Sequence, residues 1–324
     1  MQRIALLTSG GDAPGMNAAI RAVVRTGIFY GMEVWGIRRG YEGLIEGDML
    51  PMRAQDVSNI IARGGTVLKT ARSKAFQTEE GRAQAFRHLE ERGIEGLVLI
   101  GGDGTFRGAN AFFHEHQIPA VGLPGTIDND LAGTDYTIGF DTAVNTAVDA
   151  IDKIRDTAEA HDRLFIVEVM GRDAGYIALH AGLACGAEDI LIPEVQTDLG
   201  EVLARICDDE RRKKTVHILV VSEGDDLKGG AAALYEHIRR DFPKLDTRMC
   251  VLGHIQRGGS PTCADRILAS RLGYAAVEAL RAGKTQVMIG IINDQVAFTP
   301  FGQATKEQAN LHRDMLQMIR VLAI

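Results

Sequence analysis

An α/β fold of mainly parallel sheets flanked by helices is predicted by two features of the sequence. Short aliphatic or β-branched runs recur along the chain, and each leads through a glycine-rich turn into an amphipathic stretch. The first unit is a run at residues 4–7, the turn Ser9-Gly10-Gly11-Asp12-Ala13-Pro14-Gly15, and a helix carrying Ile20, Val23, Val24 and Ile28 on one stripe, ending near Gly31. The run at 97–100 enters Gly101-Gly102-Asp103-Gly104-Thr105, and that at 120–123 enters Pro124-Gly125-Thr126-Ile127-Asp128-Asn129-Asp130. Ligands of open α/β sheets lie outside the carboxyl ends of the strands, so these three turns predict one shared pocket. Further runs at 164–169, 190–192, 217–221 and 249–252 alternate with helices starting near Thr142, Ala174, Leu199 and Gly230, which reads as a second α/β lobe. The lobe boundary is expected near Gly139, and no short repeat or low-complexity linker interrupts the chain.

Composition narrows the functional classes. The chain has 324 residues, 45% hydrophobic and 24% charged, enough for roughly two domains. Its formal net charge of −7 argues against a general affinity for nucleic acid or an anionic membrane, so a phosphate site has to be local. Cys185, Cys207, Cys250 and Cys263 are far apart, without a Cys-x-x-Cys pair, which fits neither a zinc site nor a disulfide framework. The opening apolar run is too short for a signal sequence and no stretch approaches a membrane span, so a soluble protein of the reducing cytoplasm is expected.

The turns carry the chemistry. Gly10 to Gly15 fits either a tight strand-to-helix turn or a backbone cradle for phosphate at a helix N-terminus. It is no P-loop, because Gly283-Lys284-Thr285 lacks the upstream glycine, and no Gly-x-Gly-x-x-Gly fingerprint follows the first strand. Asp103 among glycines is either a helix cap or a carboxylate placed to hold Mg²⁺ against a nucleotide. In an extended segment Asp128 and Asp130 would project to one side, about 6–7 Å apart. Paired carboxylates repel phosphate unless one binds metal or takes a proton, so catalysis explains them better than binding alone.

Gly101 to Thr105 resembles the nucleotide motif shared by phosphofructokinases, NAD kinases and diacylglycerol kinases. Pro124 to Asp130, Met170-Gly171-Arg172 and Gly253-His254-Ile255-Gln256-Arg257-Gly258-Gly259-Ser260-Pro261, in this order, resemble the bacterial 6-phosphofructokinase family over essentially the whole chain. The resemblance implies the two-lobed phosphofructokinase fold, with an ATP lobe at 1–139 plus about 257–310 and a fructose 6-phosphate and effector lobe at 140–256 plus about 311–324. It implies transfer of the γ-phosphate of Mg-ATP to the sugar 1-hydroxyl, the committed step of glycolysis, against the alternatives of an NAD or lipid kinase or a non-catalytic sensor.

By this resemblance Asp128 is the general base, with Arg72, Arg172, Gly11 and Thr126 completing the catalytic set. ATP falls to Gly11, Tyr41, Arg72, Ser73, Gly102, Asp103, Gly104, Thr105 and Gly108, with Mg²⁺ on Asp103. The sugar phosphate falls to Thr126, Asp128, Asp130, Arg163, Met170, Gly171, Arg172, Glu223, Arg248, His254 and Arg257. Counterparts of Arg163 and Arg248 reach a neighbouring subunit, which implies a homotetramer with shared sites. Pyrophosphate-using relatives tend to carry Asp at Gly104 and Lys at Gly125, so two glycines imply ATP as donor. Arg21, Arg25, Arg155, Gly186, Glu188, Arg212, Lys213 and Lys214 resemble the effector pocket for ADP and phosphoenolpyruvate, although Asn59, Ala54 and Tyr176 depart from its usual surroundings.

Overall fold

The structure, a computed structural model, describes residues 1–196, 198–211, 217–225, 227, 229–306 and 313–322. The chain divides into two compact units, Met1–Thr142 with Arg257–Glu307, and Ala143–Gln256 with Gln308–Ile324. The first unit contains β1 (Arg3–Thr8), α1 (Met16–Phe29), β2 (Glu33–Ile37), α2 (Gly40–Glu46), β3 (Met49–Met52), α3 (Glu79–Glu91), β4 (Gly96–Gly101), α4 (Asp103–His116) and β5 (Ala120–Pro124). Helix α5 (Phe140–Glu159) opens in this unit and carries the chain into the second, which holds β6 (Leu164–Val169), α6 (Tyr176–Ala184), β7 (Asp189–Leu191), α7 (Leu199–Arg211), β8 (His217–Ser222), α8 (Gly230–Asp241) and β9 (Thr247–Val251). The chain then returns to the first unit for α9 (Cys263–Arg281), β10 (Val287–Ile292) and β11 (Gln295–Pro300), and α10 (Arg313–Leu322) belongs to the second.

The first sheet has seven strands in the order β11-β10-β5-β4-β1-β2-β3, parallel except for the antiparallel outer pairs β2–β3 and β10–β11. Alternation along its central strands sorts side chains to two buried faces, as a covered parallel sheet requires. Ala5, Leu7, Leu97 and Leu99 join Leu44, Leu89, Phe106 and Phe112 in one core. On the opposite face Ile4 and Ile100 lie against α1, and α1 packs so tightly on α9 that a Cβ on Gly273 would stand 2.7 Å from that of Ala22. The second sheet, β7-β8-β6-β9, is parallel throughout, and Leu164, Ile166, Leu219 and Val221 pack with Val202, Ile206, Leu234 and Ile238.

The order places a topological switch in each sheet. Strands β1 and β4 are neighbours although α1 to α3 separate them in sequence, so their carboxyl ends open the crevice where such sheets hold ligands. In the second sheet β6 lies between β8 and β9, with the turns after β6 and β8 at the same end.

One expectation fails in the first helix. Ile20, Val23 and Val24 are fully buried, whereas Ile28 is 36% exposed and Gly27 takes the inward place. A Cβ at Gly27 would stand 2.6 Å from Val34, so β2 passes too close for a larger residue there.

Candidate active site

Each of the three turns after β1, β4 and β5 is shaped by a steric demand. After β1, Gly10 and Gly15 have φ of 91° and 108°, and Gly15 precedes α1 without a side-chain cap, leaving the amides of the first helical turn uncapped by side chains. Gly11 is exposed, and a Cβ there would come within 2.7 Å of Arg257 Nη1, which donates to Asp12 O at 3.1 Å. The guanidinium therefore lies against the backbone of this turn.

After β4, Gly102 takes the cap position of α4 and Asp103 is the first helical residue, so Asp103 does not act as the cap. Its carboxylate accepts from Arg107 Nη2 at 2.9 Å, the arginine side chain being exposed and that of Asp103 mostly covered. Gly104 faces open space, with no atom within 4 Å of a Cβ built there. Thr105 Oγ1 donates to Ser9 O at 3.2 Å, and Gly125 N donates to Gly101 O at 3.0 Å, lacing the three turns together. Tyr41 is buried: its hydroxyl donates to Thr105 O at 2.6 Å and its ring stacks on Phe76 at 3.8 Å, while burial pushes its pKa up. Gly108 faces these rings, a Cβ there standing 3.1 Å from Tyr41 and 3.4 Å from Phe76.

After β5 the segment bends instead of extending, which corrects the expected strand-like alternation of Asp128 and Asp130. Asn129 has φ 53°, and its side chain accepts from Thr137 N at 2.7 Å and donates to Asp135 O at 3.2 Å. Thr137 Oγ1 in turn donates to Thr126 O at 2.6 Å. Both carboxylates are nonetheless buried, Asp128 at 6% and Asp130 at 5% exposure. Asp128 Oδ1 and Asp130 Oδ2 both lack a hydrogen-bond partner among the described residues, and Lys306 Nζ lies at ion-pair distance, 3.0 Å, from Asp130 Oδ2. Burial first, then the charge of Asp130, raise the Asp128 pKa above its ordinary value, against the pull of Arg257, Lys306 and the Thr126 hydroxyl. A buried carboxyl with one free oxygen and a raised pKa is suited to taking a proton.

The loop that carries Arg72 is fastened to the same unit. Buried Asn17 donates to Arg63 O at 3.0 Å and Gly64 O at 3.1 Å and accepts from Val67 N at 2.8 Å, and Thr70 Oγ1 donates to Gly10 O at 2.8 Å. Arg72 is exposed, and Ser73 Oγ accepts from Phe76 N at 3.1 Å.

In the second unit, Gly171 and Arg172 have φ of 149° and 57°, and Glu223 Oε1 accepts from Arg172 N at 2.9 Å. The Arg172 side chain is 59% exposed, Met170 is buried and His254 is exposed in the short 3₁₀ turn Gly253–Arg257. Arg163 and Arg248 converge on Asp246 at 2.7 and 2.6 Å, and hydrogen bonding from Arg163 is the main reason that the Asp246 pKa is lowered.

Of the expected effector residues, Arg21 is half-buried and Arg25 exposed on α1. Arg155 Nη2 donates to Cys185 O at 2.6 Å and Gly186 O at 3.1 Å, and Glu188 accepts from Ile218 N. Arg212, Lys213 and Lys214 lie outside the described residues. Asn59, with φ 58°, occupies a backbone conformation that suits Asn.

Asn17, Lys306 and Asp265 were not foreseen. Asn17 follows the Gly10–Gly15 turn and could have been read as a polar residue on the buried face of α1. Lys306 is placed by an antiparallel bridge to Leu131, which no local pattern signals.

Among the described residues no three His, Cys, Asp or Glu side chains gather as a metal cage. Mg²⁺ needs none: it keeps waters and binds through one or two carboxylates plus substrate phosphates. Asp103, at the opening of α4 and paired only with an exposed arginine, fits that use.

Two carboxylates buried beside glycine turns at the switch point of a parallel sheet define a phosphoryl-transfer type of site. The sequence pattern of the family described as Phosphofructokinase matches residues 3–280. The chain is 59% identical over 324 residues, covering both chains fully, to ATP-dependent 6-phosphofructokinase 1 of Thermus thermophilus. Phosphofructokinase from Saccharomyces cerevisiae superposes with a TM-score of 0.90 at 37% identity, covering all of this chain and 48% of the yeast chain, so this chain spans about half of that longer protein. The pyrophosphate-dependent phosphofructokinase of Marinobacter aquaeolei, at 22% identity, TM-score 0.86 and coverage of 98% and 91%, shares the fold. The chain belongs to the phosphofructokinase family.

Proposed function

We propose that the chain is an ATP-dependent 6-phosphofructokinase, converting fructose 6-phosphate and ATP to fructose 1,6-bisphosphate and ADP. The observation that carries this reading is Asp128, a buried carboxylate with its Oδ1 unpartnered among the described residues and its pKa raised. Asp128 takes the proton of the sugar 1-hydroxyl as that oxygen forms its bond to the γ-phosphorus. The bond to the bridging oxygen breaks and ADP leaves with the electron pair. Arg72 and Arg172 stabilise the negative charge spread over the migrating group. Asp103 would hold Mg²⁺, which would supply further charge neutralisation when bound.

ATP lies on the glycine turns, and the open space at Gly104 leaves room for a nucleotide phosphate. The high identity to a relative named as ATP-dependent supports the same donor. Thr126, Asp130, Met170, Gly171 and Glu223 hold the sugar, and Arg163, Arg248, His254 and Arg257 hold its 6-phosphate, where arginine forks bond two oxygens at once. Arg163 and Arg248 acting on a neighbouring copy gives a homotetramer. ADP or phosphoenolpyruvate acts at the site of Arg21, Arg25, Arg155, Gly186, Glu188, Arg212, Lys213 and Lys214. No helix among the described residues is long and apolar enough to cross a membrane, which is consistent with a cytoplasmic glycolytic role.

Initial rates with Mg-ATP and three acceptors, fructose 6-phosphate, NAD⁺ and diacylglycerol, test the proposal. Turnover confined to the sugar phosphate is expected. Turnover of NAD⁺ or the lipid, or tight sugar-phosphate binding without turnover, contradicts it.

A further inference from the structure

We propose that Asp265, in the first turn of α9, is a positioning residue that holds the Asp128 loop in its reactive shape, an inference that rests on the reading of Asp128 as the base. Asp265 is 1% exposed, so its carboxylate is closed off from solvent. Its two oxygens are taken up by Gly139 N at 2.8 Å, Thr142 N at 2.8 Å and the Thr142 hydroxyl. Burial raises its pKa against these donors. Its own backbone amide donates to Thr262 Oγ1 at 3.3 Å, and that hydroxyl donates to Asp141, so α9 and the opening of α5 are fixed to one another.

What makes this more than a helix cap is the segment it anchors. Residues 137–139 run directly from the Asp128 loop to the amides that Asp265 holds. Thr137 binds that loop twice, through its amide to Asn129 Oδ1 and its hydroxyl to Thr126 O. Ile138 N donates to Pro124 O at 2.8 Å, bridging this segment alongside Gly125. Gly139, at φ 103°, has no room for a Cβ, which would stand 2.7 Å from Ala13. Gly15 is similarly confined, a Cβ there coming 2.7 Å from Ile138 Cγ2. The segment is therefore gripped on one side by the β1 turn and on the other by Asp265. Without the carboxylate, Gly139 and Thr142 lose their acceptor, and the displacement passes through Thr137 to the residues on either side of Asp128.

Steady-state kinetics of the full-length chain test this with D265N, T137V, the double variant and I238A, a core truncation in α8, with the melting temperature of each measured alongside. D265N is expected to lower kcat on the order of 10- to 100-fold, the scale of a small misplacement of a reacting group, with KM for both substrates changed less than about twofold. T137V is expected to lower kcat about fivefold, the scale of one hydrogen bond, and T137S to restore it. Because both act along one segment, the double variant should fall no further than D265N. Losses that multiply, or a D265N kcat no lower than that of I238A, overturn the proposal. Should D265N not fold, T142V, which removes the hydroxyl donated to Asp265, replaces it in the same cycle. Absence of turnover in the unsubstituted chain would instead overturn the reading of Asp128.

Discussion

Replacing Asp128 by Asn separates catalysis from stability, because the structure assigns opposite signs to the two effects. A positioned general base contributes about 10²- to 10⁴-fold to rate, or about 2.7–5.4 kcal/mol at 1.36 kcal/mol per decade. The asparagine keeps the shape of the side chain and cannot take the proton, so kcat falls by that factor while both substrates still bind. Stability moves the other way. The Asp128 pKa is raised in the folded state by burial and by Asp130, so ionisation disfavours the fold. The stabilisation held by the protonated form is fully present below the ordinary aspartate pKa of about 3.9. It is lost as pH rises through the raised value. D128N is therefore expected to be more stable than the parent at pH 7, by about 0.5–2 kcal/mol, with the difference vanishing in acid. Initial rates beside denaturant melts at pH 7 and pH 4 measure both. A kcat within tenfold of the parent refutes Asp128 as the base, and a less stable D128N at pH 7 refutes the electrostatic account of its pocket.

Two further outcomes follow from the same geometry. Lys306 lies 3.0 Å from Asp130 and lowers the Asp128 pKa, so K306M should move the acidic limb of the kcat–pH profile to higher pH; an unmoved limb or a shift to lower pH contradicts the coupling. Gly104 faces open space in the first turn of α4, where an acidic residue suits the helix dipole, so G104D should leave thermal stability within about 0.5 kcal/mol. Its ATP-dependent rate should fall at least about tenfold, and an unchanged rate would remove Gly104 from the donor site.

Strands β1, β4, β5 and β8 were legible because each is buried along nearly its whole length and therefore reads as a mainly aliphatic run. Strands β2, β3, β10 and β11 were not read: Pro51 interrupts β3 and β11 alternates along an exposed edge, whereas β10 is itself a mostly buried aliphatic run. The three turns and their carboxylates were visible as composition. Their conformation was not, since the bend at Asn129 depends on Thr137 and Asp135, which only the folded chain brings to its side chain. Arg257 beside Gly11, Lys306 beside Asp130 and Asp265 beneath Gly139 all join positions more than 100 residues apart, which no local pattern encodes.

The most direct test is the initial rate of fructose 1,6-bisphosphate formation from fructose 6-phosphate and Mg²⁺, with ATP and pyrophosphate supplied in parallel. Turnover with ATP and none with pyrophosphate is predicted. Turnover with pyrophosphate alone would contradict the donor assignment at Gly104 and Gly125, and turnover with neither would contradict the account of Asp128 as a catalytic base.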